Sequence, residues 1–351
     1  MPQTTLGILK PGTPRVAPVS GFSIIIPTYN RAELLRMALE SVHHLYLPRS
    51  WEAEILVIDN NSSDHTAAVA REAKQGPLPV RRILEMKQGA SHARNRGASE
   101  ASFEHLVYLD DDELVDKGWL EAYAAVLAAL HPDCVVGPVE PWFEQVPPKW
   151  MTSTILYSVT SSYSWKGQQQ MLLPPTRAHE IPGGNFGVLK SVVFEVGGFH
   201  PAMRVGEDFE FGGRLVLFGK RVAYAPDCRI RHFINRQKLS VVGLRARAKG
   251  WGAVQRALMQ LRGDTLPAKG QLRLLLRLIR CFLLGIRYRF QNRKGHALEC
   301  KLEAARILGL LFPPRQLIDV SALLPRPNLS LKRAQFRLCK TRASSYQADP
   351  E

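Results

Sequence analysis

Short apolar runs alternate with helical repeats through the first third of the chain. Phe22 to Ile26 is a β-branched run closed by Pro27, and the apolar positions from Ala32 to Val42 then recur at helical spacing. The order repeats in Glu54 to Ile58, the polar turn Asp59 to Asp64, and a helix over Thr66 to Ala73 for which Ser63 or Asp64 can serve as N-cap. A strand over Val80 to Leu84 and a helix over Ala90 to Ala101 lead to the apolar run Leu106 to Leu109. Alternating strands and helices predict an α/β fold: a mostly parallel sheet with helices on both faces, its ligands bound beyond the carboxyl ends of the strands. The polar clusters that close these runs are therefore expected to share one crevice.

One of those clusters carries charge that needs an explanation. Asp110, Asp111, Asp112 and Glu113 stand in a row, and neighbouring carboxylates repel unless a cation neutralises them, so the run suggests a divalent metal site. A solvated acidic turn, or the first turn of a helix over Lys117 to Leu130, would read the same way locally. Further on, Glu207 and Asp208 follow Gly206 at the predicted start of a helix through Phe218, where acids also suit the helix dipole.

Taken in order, these segments resemble the family 2 glycosyltransferases with the GT-A fold, a Rossmann-like nucleotide-diphospho-sugar transferase architecture. The resemblance rests on Ser23 to Arg31, Val57 to Asp64, Gly89 to Gly97, Leu109 to Asp112, Gly183-Gly184-Asn185-Phe186, Gly197-Gly198-Phe199 and Gly206-Glu207-Asp208-Phe209, and covers about Phe22 to Gly250. It implies a nucleotide-sugar donor, a glycan or lipid-linked acceptor and Mg²⁺ or Mn²⁺. Asp112 would be the metal ligand, Asp110 would sit nearer the ribose, and Asp111 would be the variable middle position. His232 matches a place where a further histidine ligates metal or contacts phosphate, though a lone histidine is as readily an ordinary packed residue. Pro27, Thr28 and Tyr29 would shape the base and ribose pocket, with Asp59 accepting a hydrogen bond from the base. Asp59-Asn60-Asn61 stands where Asp-Asp-Gly is frequent, which leaves the donor base open. Arg94 would reach the base or the diphosphate, or with Arg96 form a solvated basic face. Gly183, Gly184 and Asn185 would lie on the acceptor side. Asp208, with Glu207 as runner-up, would take the proton of the acceptor hydroxyl in a single inverting displacement.

The remaining sequence changes the picture in three ways. From Pro141 to Pro182 the periodicity fails and aromatics including Trp142, Trp150, Tyr157, Tyr163 and Trp165 accumulate, a candidate acceptor loop or lid. Residues 1–20 read as a disordered lead rather than a signal peptide, and the odd number of cysteines without metal-ligand spacing suits a reducing cytoplasm. Charge is segregated: residues 1–228 hold 21 Lys and Arg against 25 Asp and Glu, net −4, whereas residues 229–351 hold 26 against 6, net +20. Within that basic part, Arg273, Arg277, Arg280 and Arg287 recur at helical spacing and leave leucines, among them Leu274 and Leu278, and Phe282 on another side. The charges interrupt the apolar run too often for a spanning helix. They suit a helix lying on an anionic membrane, or one packed on the domain with its arginines in water.

The expected organisation is a GT-A domain over 21–250, divided into a nucleotide-binding half (21–113) and an acceptor and catalytic half (114–250), followed by a basic helical segment over 251–351. The expected activity is an inverting, metal-dependent sugar transfer in bacterial surface polysaccharide or glycolipid synthesis, cytoplasmic or peripheral on the inner membrane face. A nucleotidyltransferase is the first rival, opposed by the lack in this sequence of a Gly-rich, lysine-containing phosphate loop after the first strand. A catalytically inactive, membrane-associated scaffold is the second, opposed by Asp112 and Asp208. No nucleic-acid-binding motif is present.

Overall fold

The first strand, β1 (Gly21–Thr28), is buried along all but one position, the environment that a continuous apolar run requires at the centre of a parallel sheet. The computed structural model describes residues 20–160, 169–174, 177–178, 180–203, 205–261 and 264–313. In chain order β1 is followed by α1 (Ala32–His43), β2 (Glu52–Asp59), α2 (Thr66–Glu72), β3 (Val80–Leu84), α3 (Ala90–Glu100), β4 (His105–Tyr108), β5 (Glu113–Val115), α4 (Trp119–Leu130), β6 (Cys134–Val136) and β7 (Val139–Phe143). Then come α5 (Ser153–Thr160), β8 (Met171–Leu172), β9 (Phe186–Leu189), α6 (Lys190–Glu195), α7 (Glu207–Leu217), β10 (Val222–Tyr224), β11 (Ile230–Ile234), α8 (Val241–Leu261), α9 (Ala268–Phe290) and α10 (Lys294–Leu311).

The main sheet has the order β3-β2-β1-β4-β9-β6-β10-β8. Strands β3, β2, β1 and β4 are parallel, and right-handed crossovers put α1 and α2 on one face and α3 on the other. Gly97 lets α3 lie against β1, since a Cβ there would meet Ile25 Cγ2 at 2.4 Å. Thr28 pairs in register with Asp59, so the carboxyl ends of β1 and β2 are level. The alternating pattern did not announce β9, which runs antiparallel between β4 and β6. Its first residue, Phe186, pairs with Tyr108 at the end of β4, which delivers the loop 183–185 to the same edge.

A second, three-stranded sheet has the order β5-β11-β7. Strand β5 begins at the last residue of the acidic run, and His232 of β11 pairs with Glu113 across it. This small sheet also accounts for part of the stretch expected to be a lid. Trp142 on β7 packs edge-on against Phe233, ring centroids 5.2 Å apart, while Met151 and Ile155 join a cluster with Leu298 and Leu302 of α10. Trp150 is exposed, and the side chains of Tyr157, Tyr163 and Trp165 lie outside the described residues, as does the lead 1–19.

The expected boundary after residue 250 falls inside α8. This helix joins the two parts: Val254 and Ala257 pack with Met203, and Trp251 meets Phe209 of α7 edge-on at 4.7 Å. The backbones of α8 and α10 touch through glycines, because a Cβ on Gly252 would lie 1.8 Å from the Arg306 carbonyl oxygen and one on Gly309 would lie 1.9 Å from that of Lys249. Outermost is α9, in which only Gly285 is buried. Leu274 and Leu278, expected on the free apolar side, are half-buried, and the exposed stripe runs instead through Leu272, Leu276, Ile279, Leu283, Ile286 and Phe290. Among the described residues no helix is long and apolar enough to cross a membrane.

The glycine contact makes a prediction. Gly252→Ala and Gly309→Ala each force two helix backbones apart and should cost about 1–3 kcal/mol by overpacking. Urea denaturation should show a lowered midpoint, and limited proteolysis should cut α9 and α10 before the sheet. An unchanged midpoint in both variants would contradict the close contact.

Candidate active site

The four acids after β4 do not share one environment. Asp110 keeps about a third of its side chain exposed, 36 %, against 5 % for Asp111 and 9 % for Asp112. Asp111 turns inward, where it accepts hydrogen bonds from Thr28 Oγ1 (2.8 Å) and Arg31 Nη1 (2.9 Å). Burial lifts its carboxyl to about 6, the Arg31 charge opposing. Glu113 is buried too and accepts the Asp110 backbone N–H at 3.0 Å. Burial first, then the Asp110 and Asp112 charges, push it well above the usual carboxylate range. Gly184 presses on it, since a Cβ at 184 would fall 1.8 Å from Glu113 Oε2. The double glycine is therefore a space requirement at 184. At 183 a Cβ would stand 3.0 Å from Asp208 Oδ2.

Asp112 collects cations. Its Oδ2 lies 3.3 Å from Arg31 Nη1, 3.2 Å from Lys238 Nζ and 3.5 Å from His232 Nε2. The β5–β11 pairing sets this geometry, with the Phe233 N–H donating to the Asp112 carbonyl at 2.8 Å. Burial works against the Asp112 charge, but the hydrogen bond and charge of His232, with Lys238 and Arg31, outweigh it and hold the carboxyl well below its ordinary value. Asp112 is thus ionised throughout the physiological range.

The pair at the start of α7 is tied to this cluster by one guanidinium. Arg94 of α3 donates through Nη2 to Asp110 Oδ1 at 2.8 Å and to the Gly183 carbonyl at 3.2 Å, and through Nη1 to Glu207 Oε1. Although burial disfavours its charge, Asp110, Glu207 and Asp208 more than restore it. Beneath, Tyr108 stacks on Phe186 at 4.7 Å and Phe199 on Phe211 of α7 at 4.5 Å, which locks the helix that carries the pair onto the strand that ends in the acids. Asp208 is half-buried and outside the Arg94 fork. Burial, then the Glu207 charge, lift its carboxyl to about 7 against the pull of Arg94.

A divalent cation can be tested against these donors. Mg²⁺ and Mn²⁺ take hard oxygen ligands, to which the softer Mn²⁺ can add an imidazole, and fill their octahedra from substrate phosphates and water, so one or two protein ligands suffice. Asp112 and His232 converge closely enough for that, although Lys238 Nζ stands 3.2 Å from both. The residues fit a substrate-assisted ion that displaces the ammonium. They do not form a closed cage: among the described residues no group of three or more His, Cys, Asp or Glu is arranged to hold a metal.

Other expected site residues are placed differently. Arg94 points into the protein bridge rather than the open crevice, while Arg96 lies on the solvated side, paired with Glu100. Asp59 is buried, with Oδ2 held by Arg82 and Oδ1 accepting the Ser62 N–H at 2.8 Å. Asn60 ties down the turn before α3 through the Glu85 and Lys87 carbonyls and the Gly89 N–H, a structural use for asparagine there. Asp64 reaches both the Ala32 and Thr66 N–H groups and so caps two helix starts. Asn185 lies in the scaffold: it accepts from Trp119 and Tyr123 and donates to the Pro138 and Cys228 carbonyls, all buried. Tyr29 is exposed and Pro27 half-buried at the crevice edge beside Thr28. Sequence reading missed Lys238, in an unpatterned turn, and Arg247 of α8, which lies within Coulombic reach of Asp112 and Asp208. Nothing local marks either.

Residues 23–197 match the family described as Glycosyl transferase family 2. Glycosyltransferase AglE of Haloferax volcanii is 29% identical over 206 residues, 58% of this chain and 64% of that protein. The GalNAc(5)-diNAcBac-PP-undecaprenol beta-1,3-glucosyltransferase of Campylobacter jejuni is 35% identical over 100 residues, 28% of this chain and 31% of that one. The chain therefore spans less than two thirds of the length of these curated relatives. The crystal structure of S. aureus TarS 1-349 in complex with UDP-GlcNAc shares the fold, with a TM-score of 0.51 at 14% identity over 82% of this chain and 91% of that one.

The Arg94 bridge makes its own prediction. Arg94→Met leaves Asp110, Glu207 and Asp208 without their shared cation and should cost about 3–5 kcal/mol of stability. The loss should depend on pH. In the variant the Asp208 carboxyl, already lifted to about 7, loses the Arg94 charge that opposes the shift, so the added loss of stability is absent in acid, where the carboxyl is protonated in both states, and grows as pH rises through that value. Denaturation at acid and neutral pH should therefore show a wider gap from wild type at neutral pH; a constant gap would mean that Arg94 acts through packing alone.

Proposed function

The chain belongs to glycosyl transferase family 2 through residues 23–197, and from that premise we propose an inverting, metal-dependent glycosyltransferase that moves a sugar from a nucleotide-sugar donor to a glycan or lipid-linked acceptor. We place it in bacterial surface polysaccharide or glycolipid synthesis, peripheral on the cytoplasmic face of the membrane. The observation that carries the chemistry is the Asp110–Arg94–Glu207 bridge, beside which Asp112 is held well below the ordinary carboxylate range and Asp208 is lifted to about 7. Separated pKa values of this kind divide two carboxylates between charge stabilisation and proton transfer.

In this reading Asp112 and His232 hold the cation, which when bound stabilises the negative charge that grows on the leaving diphosphate. Arg31 and Lys238, now paired with Asp112, are the cations placed to meet phosphate oxygens as the donor enters. Thr28, Tyr29 and Asp110 border the nucleoside, and the Asp111–Thr28 bond fixes that edge. Asp208 Oδ takes the acceptor hydroxyl proton as the hydroxyl oxygen attacks the anomeric carbon and the sugar–phosphate bond breaks. Glu207, engaged with Arg94, positions the helix start.

Donor screening begins with UDP-sugars. Asp112→Asn should weaken metal-dependent donor binding by roughly tenfold or more, about 1.4 kcal/mol. Asp208→Asn should leave donor binding nearly intact and lower turnover by about 10²–10⁴. Full turnover in either variant would remove its assignment, and a product of retained anomeric configuration by NMR would remove the single displacement.

A second outcome concerns pH. Because a base must be unprotonated, the rate should fall as pH drops, along a limb centred near the Asp208 value of about 7. Absence of that limb in wild type would argue against Asp208.

A further inference from the structure

We propose that the outer face of α9 lies in the interface of an anionic lipid bilayer, its apolar stripe among the acyl chains and its flanking arginines at the headgroups. The proposal deepens the peripheral placement given above and needs nothing from the sugar-transfer chemistry.

Leu272, Leu276, Ile279, Leu283, Ile286 and Phe290 follow one another at steps of three and four residues and so stack along a single side of the helix. All are exposed, Phe290 to 89 %, and Phe282 beside them is 69 % exposed. The 23 residues span about 34 Å at 1.5 Å per residue, so among the described residues this is a long unpartnered apolar surface rather than scattered leucines. On its other side α9 packs against α10, where Gly285 approaches Cys300 and Arg277 pairs with Glu303.

Charge selects the occupant. Helix α9 carries Lys269, Arg273, Arg277, Arg280, Arg287 and Arg289 and no acid. Arg273, Arg280 and Arg287 line one margin of the stripe, and Arg289 falls near the other. A second copy of this helix would set like charges against like. An anionic bilayer matches both the apolar width and the cationic margins, and a helix so charged lies in the interface instead of crossing it.

Flotation of the full-length protein with phosphatidylcholine vesicles, with and without phosphatidylglycerol, tests the proposal. Wild type should float with the anionic vesicles, and raising salt from about 0.01 M to about 1 M, which shortens the Debye length from about 30 Å to about 3 Å, should weaken binding without abolishing it. Ile279→Glu combined with Leu283→Glu should reduce binding at least tenfold while circular dichroism and hydrolysis of a soluble donor stay at wild-type level. Arg273→Gln, Arg280→Gln and Arg287→Gln together should remove the salt-sensitive part. Failure of the wild-type chain to bind anionic vesicles overturns the proposal, including the case in which deletion of residues 314–351 creates binding. Equal binding by the Ile279/Leu283 variant also overturns it, as does a concentration-dependent dimer that this variant dissolves. Loss of donor hydrolysis in wild type would instead strike the catalytic reading and leave vesicle binding to be judged by itself.

Discussion

The Arg94 guanidinium is the constraint on which the site depends. Without a cation between them, Asp110, Glu207 and Asp208 would repel across a poorly solvated gap, and the elements that carry them would have no reason to converge. The fork of a guanidinium can satisfy two carboxylates and a carbonyl at fixed angles, which an ammonium cannot do with the same geometry. Since α3 carries Arg94, β4 leads to Asp110 and α7 opens with Glu207, one side chain sets the distance between the end of β4 and the start of α7. The aromatic stack beneath it holds β4 and α7 together from the apolar side. Polar and apolar contacts therefore agree on one arrangement.

Two antiparallel pairings bring in the rest. Strand β9 returns the loop 183–185 to the end of β4, where only glycine leaves room for the Glu113 carboxyl. Strand β11 sets His232 beside Asp112 through its pairing with β5. Helix α8 then buttresses α7 through Val254 and Trp251, so the C-terminal helices support the site as well as extending beyond it. A glycine at 206 belongs to the same contact, because a Cβ there would meet Val254 Cγ1 at 2.5 Å.

The parallel half of the sheet was legible because each buried strand is a continuous apolar run ended by polar residues, and β3 falls where its pattern put it, Val80–Leu84. The acids after β4 stood out in the sequence because carboxylates crowded at a strand end repel, whereas Glu207 and Asp208 stood out only through the motif they resemble; the structure brings Asp110 and Glu207 onto one guanidinium. Strands β8 and β9 were not, being short and flanked by a stretch without period. Arg94, Asn185 and Asp59 looked like ligand-facing polar residues, but their partners stand far along the chain: Arg94 meets Glu207, Asn185 meets Trp119, and Asp59 meets Arg82. Sequence pattern reports periodicity and local chemistry; it does not report which buried polar group satisfies which. Lys238 was invisible for the same reason, since its meaning comes entirely from the turn that brings it to Asp112.

That lysine also shows how the charge of the site is balanced. Asp112 is surrounded by Arg31, Lys238 and His232, while Asp111 and Glu113 are shifted toward their neutral forms, so the site is less negative than four consecutive acids suggest. A cation entering alone would face two resident positive groups. A cation entering with a diphosphate would not, because the phosphate oxygens give Arg31 and Lys238 new partners as Asp112 is released to the ion. Under the proposed assignment this charge balance would favour joint binding of metal and nucleotide over metal first, with Arg31 and Lys238 left to meet the phosphate oxygens.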